Sequence, residues 1–537
     1  MNQFKFAYRR HCRRYASFVG DEVKVKSNRS FLLGASVGAS VGVATALYAQ
    51  HQFVPSKVRS RGKYGGPDDL RDATHALRKV LQQKQISEDE SDLQQHGSSA
   101  WFPSHDEGSP NIVVYPNSTE DVQKIVRIAS TYKIPVIAYG AGTSIEGQFT
   151  TSLGGICIDL SQMDSIVQID QEDMTVTLQP GVGWQSLNLE LETRKTGLLF
   201  PVDPGPGASI GGCVGTSCSG PNAARWGTMK DWVLCMTVVT IDGQVFRTRS
   251  KAKKSSTGYD LNHLFIGAEG TLGIVTEITL KLTPKPTHEL VGSCSFTSPT
   301  DITQAVLLAQ KAGVNAQCFE LLDDTNMPAI NRYGNFNYPE KPHLFFKLSG
   351  NSPRLLKQES ALLSEICRSL GGGEFTVAKS DEEATAIWSA RKNLLLACLS
   401  MPEAQGCTAK STDVCVPVSK LPDLIRRFKA RAKELGVIAP VIGHVADGNF
   451  HSLMIYNEQD TELMTKVSQL SDELLKMALD LEGSVSGEHG VGNQKRHYLA
   501  TEYGDVGVEL MQRIKDAFDR DGLLNPGKLL PESGRRA

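Results

Sequence analysis

Two glycine-dense segments limit how this chain can fold. They are YGAGTSIEGQ at residues 139–148 and DPGPGASIGGCVGTSCSG at residues 203–220, and both combine glycine with serine and threonine. Glycine lets backbone N–H groups approach a bound phosphate without a Cβ in the way, and the hydroxyl groups can donate as well. Such segments can also be no more than tight turns between strands. Two separate clusters with hydroxyls favour a cradle for a ligand.

The first segment departs from the dinucleotide-binding fingerprint in two ways. Gly140 and Gly142 follow a predicted strand, and Asp159 lies where a ribose-binding acid would stand. The third glycine, Gly147, comes one residue too late for the GxGxxG spacing. The sequence that follows it, FTTSLGG, does not favour a helix, so no helix N-terminus is offered to a pyrophosphate. We therefore do not expect a nicotinamide dinucleotide.

Composition excludes other classes of protein. The chain has 537 residues, a length that indicates several domains. Its net charge of -2 argues against a nucleic-acid binder. It has 11 cysteines, none of them in a CxxC pair or with zinc-finger spacing. Because a chain of this length does not need disulfides for stability, we expect reduced thiols in a folded interior.

Residues 1–60 differ from the rest of the chain. Basic residues between positions 5 and 14 stand in a run without acids, which is typical of a mitochondrial presequence. An uncharged run follows, and its centre at 31–48 is apolar and repeats glycine every four residues, which suits close helix packing in lipid. The uncharged run is about long enough to cross a bilayer, which takes ~20 residues. We expect a mitochondrial presequence with a candidate transmembrane segment at 31–48; the alternative is a low-complexity leader that is removed.

The remainder alternates between strand and helix patterns. Residues 61–106 predict a linker with a helical lead-in. Ser118 is a predicted N-cap for a helix that runs to Tyr132, since apolar residues recur there at helical spacing. Pro284 and Pro286 mark a natural boundary, after which a second α+β domain is predicted.

A histidine pair occurs in VIGHVADGNFHSLMI at residues 441–455. Asp447-Gly448 between apolar runs predicts a hairpin with a two-residue turn, which would place His444 directly opposite His451. Opposed residues have Cβ atoms about 4.5–5.5 Å apart, so the two imidazoles could share a metal ion. A pair of surface histidines is the alternative.

A third ligand is available in EGSVSGEHGVGNQK at residues 482–495. Glu488 would complete a set of two histidines and one carboxylate, and His489 would stand beside the metal as a general base. The flanking Gly487 and Gly490 predict a loop that approaches a ligand closely. A chance Glu-His pair in a loop is the alternative.

The glycine segments, together with ARWGTMKDWVL and GAEGTLGIVTEITLKL, resemble the FAD-binding domain of the vanillyl-alcohol oxidase/p-cresol methylhydroxylase superfamily. The resemblance covers about residue 107 to the end. It implies an α+β fold with a two-subdomain FAD-binding domain at 107–285 and a C-terminal α+β substrate and metal-binding domain at 286–533, whose last helix returns to the FAD domain. Because no histidine stands beside the first loop, non-covalent FAD is expected. The FAD contacts that the resemblance implies are Gly140, Gly142, Thr143, Ser144, Gln148, Pro204, Ala208, Ser209, Gly212, Thr216, Ser219, Gly220, Glu269, Gly270 and Ile274.

The motifs GHVADGNFH, GEHGVG, TDVCVPVS and NPGK resemble the C-terminal domain shared by FAD-linked D-lactate dehydrogenases, D-2-hydroxyglutarate dehydrogenases and glycolate oxidase subunits. The resemblance implies a divalent metal, zinc or manganese, and makes His489 the proton acceptor. It also implies that Arg391 and Lys410 grip the substrate carboxylate; without it they are two of 57 basic residues. The implied metal ligands are His444, His451 and Glu488.

The expected reaction is oxidation of a D-2-hydroxy acid, D-lactate to pyruvate, with hydride transfer to the flavin. Cytochrome c is the expected electron acceptor, and the inner mitochondrial membrane facing the intermembrane space is the expected location. Some 2-hydroxyglutarate enzymes have threonine four residues after the arginine, where this chain has Leu395, and this favours a short substrate. The alternatives are a D-2-hydroxyglutarate dehydrogenase, an ether-lipid synthase of the same superfamily, and a flavin-bearing scaffold or electron-transfer subunit without a substrate.

Overall fold

The computed structural model describes residues 63–99 and 108–531. The predicted presequence and the candidate transmembrane segment at 31–48 lie outside the described residues. Within the described ranges, no helix is both long and apolar enough to span a membrane. The ten cysteines of the same ranges are free thiols, as expected.

The first layer is a four-stranded sheet covered by helices. Its strands are β1 (Ile86–Ser87), β2 (Ile112–Val114), β3 (Val136–Tyr139) and β4 (Ile156–Asp159), in the order β1-β2-β4-β3. Its helices are α1 (Pro67–Val80), α2 (Glu90–Gly97) and α3 (Thr119–Tyr132). Ser118 caps α3 as predicted, since its side chain accepts a hydrogen bond from the Asp121 N–H. The helical lead-in thus contributes α1 and β1 to this layer. The loop after β3 contains no helix, which agrees with the sequence argument against a dinucleotide fingerprint.

The second layer is a five-stranded antiparallel sheet in the order β5-β6-β10-β8-β9. The strands of this part of the chain are β5 (Ile166–Asp170), β6 (Thr175–Leu178), β7 (Leu198–Leu199), β8 (Val233–Val239), β9 (Val245–Arg247), β10 (Ile274–Lys281) and β11 (Thr283–Pro284). The helices are α4 (Trp184–Thr193), α5 (Ile210–Thr216), α6 (Ala223–Trp226), α7 (Met229–Trp232) and α8 (Leu261–Phe265). The strands β7 and β11 pair with each other. The second glycine segment contains α5.

The third part is built on an eight-stranded antiparallel sheet. Seven of its strands follow the order β15-β12-β14-β13-β18-β19-β16, and β17 also pairs with β19. The strands are β12 (His288–Ser295), β13 (Ala316–Leu322), β14 (His343–Gly350), β15 (Phe375–Val377), β16 (Thr408–Ser411), β17 (Val414–Cys415), β18 (Val441–His444) and β19 (Asn449–Tyr456). The helices are α9 (Pro299–Lys311), α10 (Asn326–Gly334), α11 (Pro353–Ser369), α12 (Asp381–Lys392), α13 (Leu394–Leu399), α14 (Leu421–Leu435), α15 (Thr461–Asp480) and α16 (Leu499–Phe518).

Both faces of this sheet are covered by helices, so side chains alternate between two apolar cores. One core contains residues of α9, α11, α14 and α15, and Phe450 and Met454 of β19 point into it. The opposite core contains residues of α10, α12 and α13, and Leu453 and Ile455 of β19 point into it. Because successive side chains of a strand point to opposite faces, the position of a residue along the strand decides which core it meets.

The last helix leads the chain back to the first sheet. The α16 helix is broken at Gly504, and Lys515 near its C-terminal end donates to the Thr271 carbonyl. After α16, the Val136 N–H donates to the Leu523 carbonyl and the Asn525 N–H donates to the Val136 carbonyl.

Candidate active site

A cavity of about 370 Å³ is lined by both glycine segments, by the turn that precedes β10, and by the loop around Glu488-His489-Gly490, called the EHG loop below. Fourteen of the fifteen predicted cofactor residues line it: Gly140, Gly142, Thr143, Ser144, Gln148, Pro204, Ala208, Ser209, Gly212, Thr216, Ser219, Glu269, Gly270 and Ile274. Gly220 does not line the cavity. A Cβ at Gly220 would lie 2.6 Å from the Asp203 carbonyl oxygen, so packing within the protein accounts for that glycine.

The glycines of the cavity wall differ in whether a Cβ would meet the protein or open space. Gly142 has φ +66°, and a Cβ there would lie 2.2 Å from the Tyr139 hydroxyl oxygen. Gly205 and Gly215 are different: a Cβ on either would meet no atom of the described chain within 4 Å. Protein packing therefore does not require glycine at these two positions. A bound molecule that passes close to the backbone would require it.

The EHG loop is fastened to the cavity wall by two side chains from the glycine-rich part of the chain. Glu269 accepts hydrogen bonds from the N–H groups of Val491 at 2.6 Å and Gly492 at 2.9 Å. Gln148 donates to the His489 carbonyl at 2.6 Å. Burial raises the pKa of Glu269 to about 7, although the two N–H donors act in the opposite direction. The contacts hold the loop so that its side chains form part of the cavity wall.

Contacts within the protein account for Gly487 and Gly490, and the close approach of their loop to a ligand stays a prediction. A Cβ at Gly487 would lie 2.1 Å from the Asn449 side-chain nitrogen, and one at Gly490 would lie 2.6 Å from a Glu269 carboxylate oxygen. The loop needs glycine because it packs tightly against its own supports.

The hairpin register differs from the predicted one. His444 pairs with Asn449, and His451 pairs with Ile442, so the connection is a four-residue turn rather than a two-residue turn. The predicted register was wrong because the Val445 N–H donates to the Phe319 carbonyl of β13. Val445 therefore does not pair with Phe450 across the hairpin, and Gly443 takes that position. The two histidines are diagonal neighbours on one face of the ladder, with ring centroids 5.3 Å apart. They still come together.

The two histidines and Glu488 form a compact cluster. Glu488 Oε1 lies 3.4 Å from His444 Nε2 and 3.2 Å from His451 Nε2. The other ring nitrogens are already engaged: His444 Nδ1 lies 2.6 Å from a Glu320 oxygen, and His451 Nδ1 lies 2.9 Å from the Thr412 carbonyl. Both imidazoles therefore point Nε2 toward one carboxylate, and in the neutral form each Nε2 offers a lone pair. This donor set and its outer hydrogen bonds fit a divalent metal ion.

Glu320 is a site residue that the sequence analysis missed. It lies in the all-buried strand β13, directly opposite His444 in the β13–β18 ladder. One carboxylate oxygen contacts His444 Nδ1 and the other accepts from Arg391 Nε, both at 2.6 Å. Burial acts to raise the pKa of Glu320, but the charges of His444 and Arg391 outweigh it and the pKa is lowered. An acid within the apolar sequence AQCFELL was the only signal.

Asp413 is a second residue missed by sequence reasoning, although it stands in TDVCVPVS. It is fully buried, and one of its oxygens accepts from the N–H groups of Glu488 and His489, both at 2.9 Å, and from the Ser486 hydroxyl at 2.8 Å. The other oxygen accepts from the Asn449 side-chain amide at 2.7 Å. Asp413 thereby sets the direction in which the EHG loop presents its two functional side chains.

His489 is half-buried beside these charges, with 22% of its side chain exposed. Burial lowers the pKa of His489 to about 4, against the opposing attraction of Asp413. Its ring stacks on His451 with centroids 4.9 Å apart, and its Nδ1 has no hydrogen-bond partner within the described part of the chain. The imidazole is thus neutral near pH 7, the state in which it can accept a proton. The pKa of Glu488 is well below its usual value, because His444 and His451 more than offset its burial.

The structure brings Arg391 to the cluster but not Lys410. Arg391 of α12 reaches Glu320 from the core that contains α10 and α13. Lys410 pairs with Met454, which faces the opposite core. Strand alternation therefore points Lys410 to the face of the sheet opposite to that of His451. Ser411 is the residue of β16 on the His451 side.

Both main parts of the chain match families of known proteins. Residues 110–249 match a family model described as FAD binding domain, and residues 285–529 match one described as FAD linked oxidases, C-terminal domain. The chain is 41% identical over 422 residues to the mitochondrial D-lactate dehydrogenase (cytochrome) of Arabidopsis thaliana, which covers 79% of this chain and 74% of the relative. It is 39% identical over 482 residues to mitochondrial D-lactate dehydrogenase (cytochrome) 1 of Saccharomyces cerevisiae, which covers 86% of this chain and 81% of the relative.

A solved structure supports the fold. The structure of p-cresol methylhydroxylase with substrate bound matches with a TM-score of 0.72 at 18% identity, over 88% of this chain and 99% of that chain. The predicted α+β fold of vanillyl-alcohol oxidase type is confirmed. The predicted FAD cofactor is supported by the matching domain models.

Proposed function

The chain belongs to the family of FAD-linked oxidases that includes the mitochondrial D-lactate dehydrogenases, and we propose on this premise that it oxidises D-lactate to pyruvate. The observation that carries the proposal is the position of the EHG loop. Glu488 belongs to the cluster of His444, His451 and Glu488, called the metal-type cluster below. Glu488 and His489, a half-buried neutral imidazole, both line the cavity formed by the glycine segments. One short segment thus presents a metal ligand and a proton acceptor to the same space.

The residues present fit both FAD and a divalent metal ion. FAD would be held without a covalent bond by the glycine segments and Glu269, and when bound it accepts the hydride from C2 of the substrate. Zinc or manganese would be held by His444, His451 and Glu488, and would supply Lewis acidity near the substrate oxygen. The open space beside Gly205 and Gly215 and the convergence of the two Nε2 atoms on Glu488 support these assignments.

His489 accepts the hydroxyl proton of the substrate at Nε2. This nitrogen lies 3.8 Å from Glu488 Oε1, on the side of the metal-type cluster. The other nitrogen, Nδ1, lies 4.0 Å from Asp413 Oδ2. The Asp413 carboxylate therefore stabilises the imidazolium that forms when the proton is transferred.

Arg391 orients the substrate carboxylate. Its Nε is committed to Glu320, which leaves the two terminal nitrogens to grip a carboxylate in the bidentate manner of arginine. The same role for Lys410, which the family resemblance implies, stays a prediction. The α12 helix ends at Lys392 and α13 begins at Leu394, so Leu395 belongs to a new helix, where it packs on the apolar core. An apolar neighbourhood favours the methyl group of lactate over a second carboxylate.

Electrons then pass to cytochrome c in the mitochondrion. Two relatives named as cytochrome-type mitochondrial D-lactate dehydrogenases support this step. Association with the inner membrane through residues 31–48 stays a prediction.

Anaerobic visible spectroscopy of the purified full-length chain tests the proposal. D-lactate should bleach the flavin absorbance, L-lactate should not, and EDTA treatment should slow the bleaching until zinc or manganese is restored. Bleaching by D-2-hydroxyglutarate alone would replace the substrate while keeping the chemistry. A flavin that no hydroxy acid reduces would refute the proposed activity and support a scaffold or electron-transfer role.

A further inference from the structure

We infer that Glu320 is a positioning residue that couples the metal-type cluster to the substrate-binding arginine through one shared carboxylate. The inference rests on the proposed function. It predicts that metal affinity and affinity for the substrate carboxylate depend on each other, because the two groups that provide them share a buried support.

The geometry assigns each oxygen of Glu320 to a different partner. Oε1 contacts His444 Nδ1 and Oε2 accepts from Arg391 Nε, each at 2.6 Å. The Glu320 side chain is fully buried, and the side chains of His444 and Arg391 are 5% and 17% exposed. Water therefore cannot readily replace either contact. The three residues come from β13, β18 and α12, so no local segment can maintain the arrangement by itself.

The first contact determines which nitrogen of His444 is available. A carboxylate accepts a hydrogen bond, so Nδ1 carries the proton, and in the neutral imidazole that binds a metal Nε2 is the nitrogen with the lone pair. That lone pair points to Glu488, as a metal ligand should. Outer hydrogen bonds of this kind typically contribute about 10–100-fold to metal affinity.

The second contact orients the guanidinium of Arg391. With Nε held by Glu320, the plane of the group is set and the terminal N–H groups face away from this carboxylate. Arginine has five donors in a rigid fork, so the direction of the remaining four follows from the first. The same anion also reduces the repulsion between Arg391 and a divalent ion bound at His444.

The substitution Glu320→Gln tests the coupling. An amide has one accepting oxygen and one donating nitrogen, so whichever way it turns, its NH₂ group faces either His444 Nδ1–H or the Arg391 Nε–H. The His444 tautomer or the Arg391 orientation is then disturbed. We expect metal affinity, measured by competition with a chromogenic chelator, to fall about 10–100-fold. The KM for D-lactate should rise about 10-fold or more, with a smaller change in kcat at saturating metal.

Pyruvate provides a binding readout that does not require turnover. With the flavin oxidised, pyruvate should increase the affinity of the wild-type chain for zinc or manganese, and the metal should increase the affinity for pyruvate by the same factor. This factor should shrink in Glu320→Gln. Should the substituted chain fail to fold, the wild-type measurement still decides: pyruvate that leaves metal affinity unchanged refutes the coupling.

Asp323→Asn is a matched control. Asp323 directly follows β13, is fully buried, and pairs with Lys429 at 2.7 Å, away from the cluster. Its substitution should lower stability while leaving metal affinity and the KM unchanged. A Glu320→Gln chain with normal FAD content that keeps wild-type metal affinity, or loses metal affinity without a change in KM, overturns the inference. A wild-type chain that binds no metal or is not reduced by D-lactate overturns the proposed function instead.

Discussion

Substitution of Gly215 by alanine should move protein stability and FAD affinity in opposite directions. Gly215 lies in α5, and its ideal Cβ would meet no described atom within 4 Å. Alanine is favoured over glycine within a helix by about 0.8–1 kcal/mol, so the chain without FAD should become more stable by up to ~1 kcal/mol. The gain is expected because the new methyl group projects into the cavity rather than into the protein.

The same methyl group should weaken FAD binding. It occupies space on the wall of the cavity, and overfilling a well-packed site costs about 1–3 kcal/mol. FAD affinity should therefore fall by about 5–150-fold. Unfolding of the flavin-free chain in urea measures the first effect, and fluorescence titration of the flavin-free chain with FAD measures the second.

Gly211→Ala in the same helix provides the contrast. A Cβ there would lie 2.5 Å from the Pro180 Cβ, so this substitution should destabilise the chain even without FAD. The reasoning is refuted if Gly215→Ala binds FAD as tightly as the wild type, or if it destabilises the flavin-free chain as Gly211→Ala does.

Three further substitutions test other parts of the site and the fold. Asp413→Asn removes a charge 4.0 Å from His489 Nδ1, where an ion pair is worth up to about 4 kcal/mol at an effective dielectric constant of 20, so kcat should fall by up to about 1000-fold in steady-state assays; an unchanged kcat would exclude the assigned role. Arg391→Lys should raise the KM for D-lactate about 10-fold or more, with a smaller effect on kcat, because lysine lacks the bidentate fork; a change in kcat alone would contradict this. Burial acts to lower the pKa of His96, but its hydrogen bond to Asp159 and the nearby charges raise it above the usual value. The ion pair thus stabilises the fold fully below about pH 6.5, and this contribution is lost as pH rises through the folded pKa. Urea unfolding should show a larger stability loss in His96→Asn at pH 5.5 than at pH 8.5, and the opposite trend would refute the assignment.

Elements with strong local signals were predictable. The helix capped by Ser118 ends at Tyr132 as predicted. Fourteen of the cofactor residues that the family resemblance implies line the cavity, and eleven of them lie in the two glycine segments, whose motifs are local. Strands β12 and β13 and helix α12 were not predicted, although β13 and α12 carry Glu320 and Arg391.

Register was the main source of error in the site. A four-residue turn instead of a two-residue turn moved the partner of His444 from His451 to Asn449. A shift of one position along β16 separates Ser411, on the His451 face, from Lys410 on the other face. Strand geometry has a period of two, so a single step reverses the side on which a residue lies.

The amino-acid sequence by itself determined the glycine cradle, the EHG loop with its metal-ligand and base residue types, and the helix capped by Ser118, since these depend on neighbours within about one turn or one strand. Only the tertiary structure decided that Glu320 joins His444 to Arg391, that Asp413 holds the EHG loop, and that Lys410 faces away. Glu320, for example, contacts Arg391 and His444, which lie 71 and 124 positions away along the chain. Strand order and register bring such residues together, and local spacing does not encode either one.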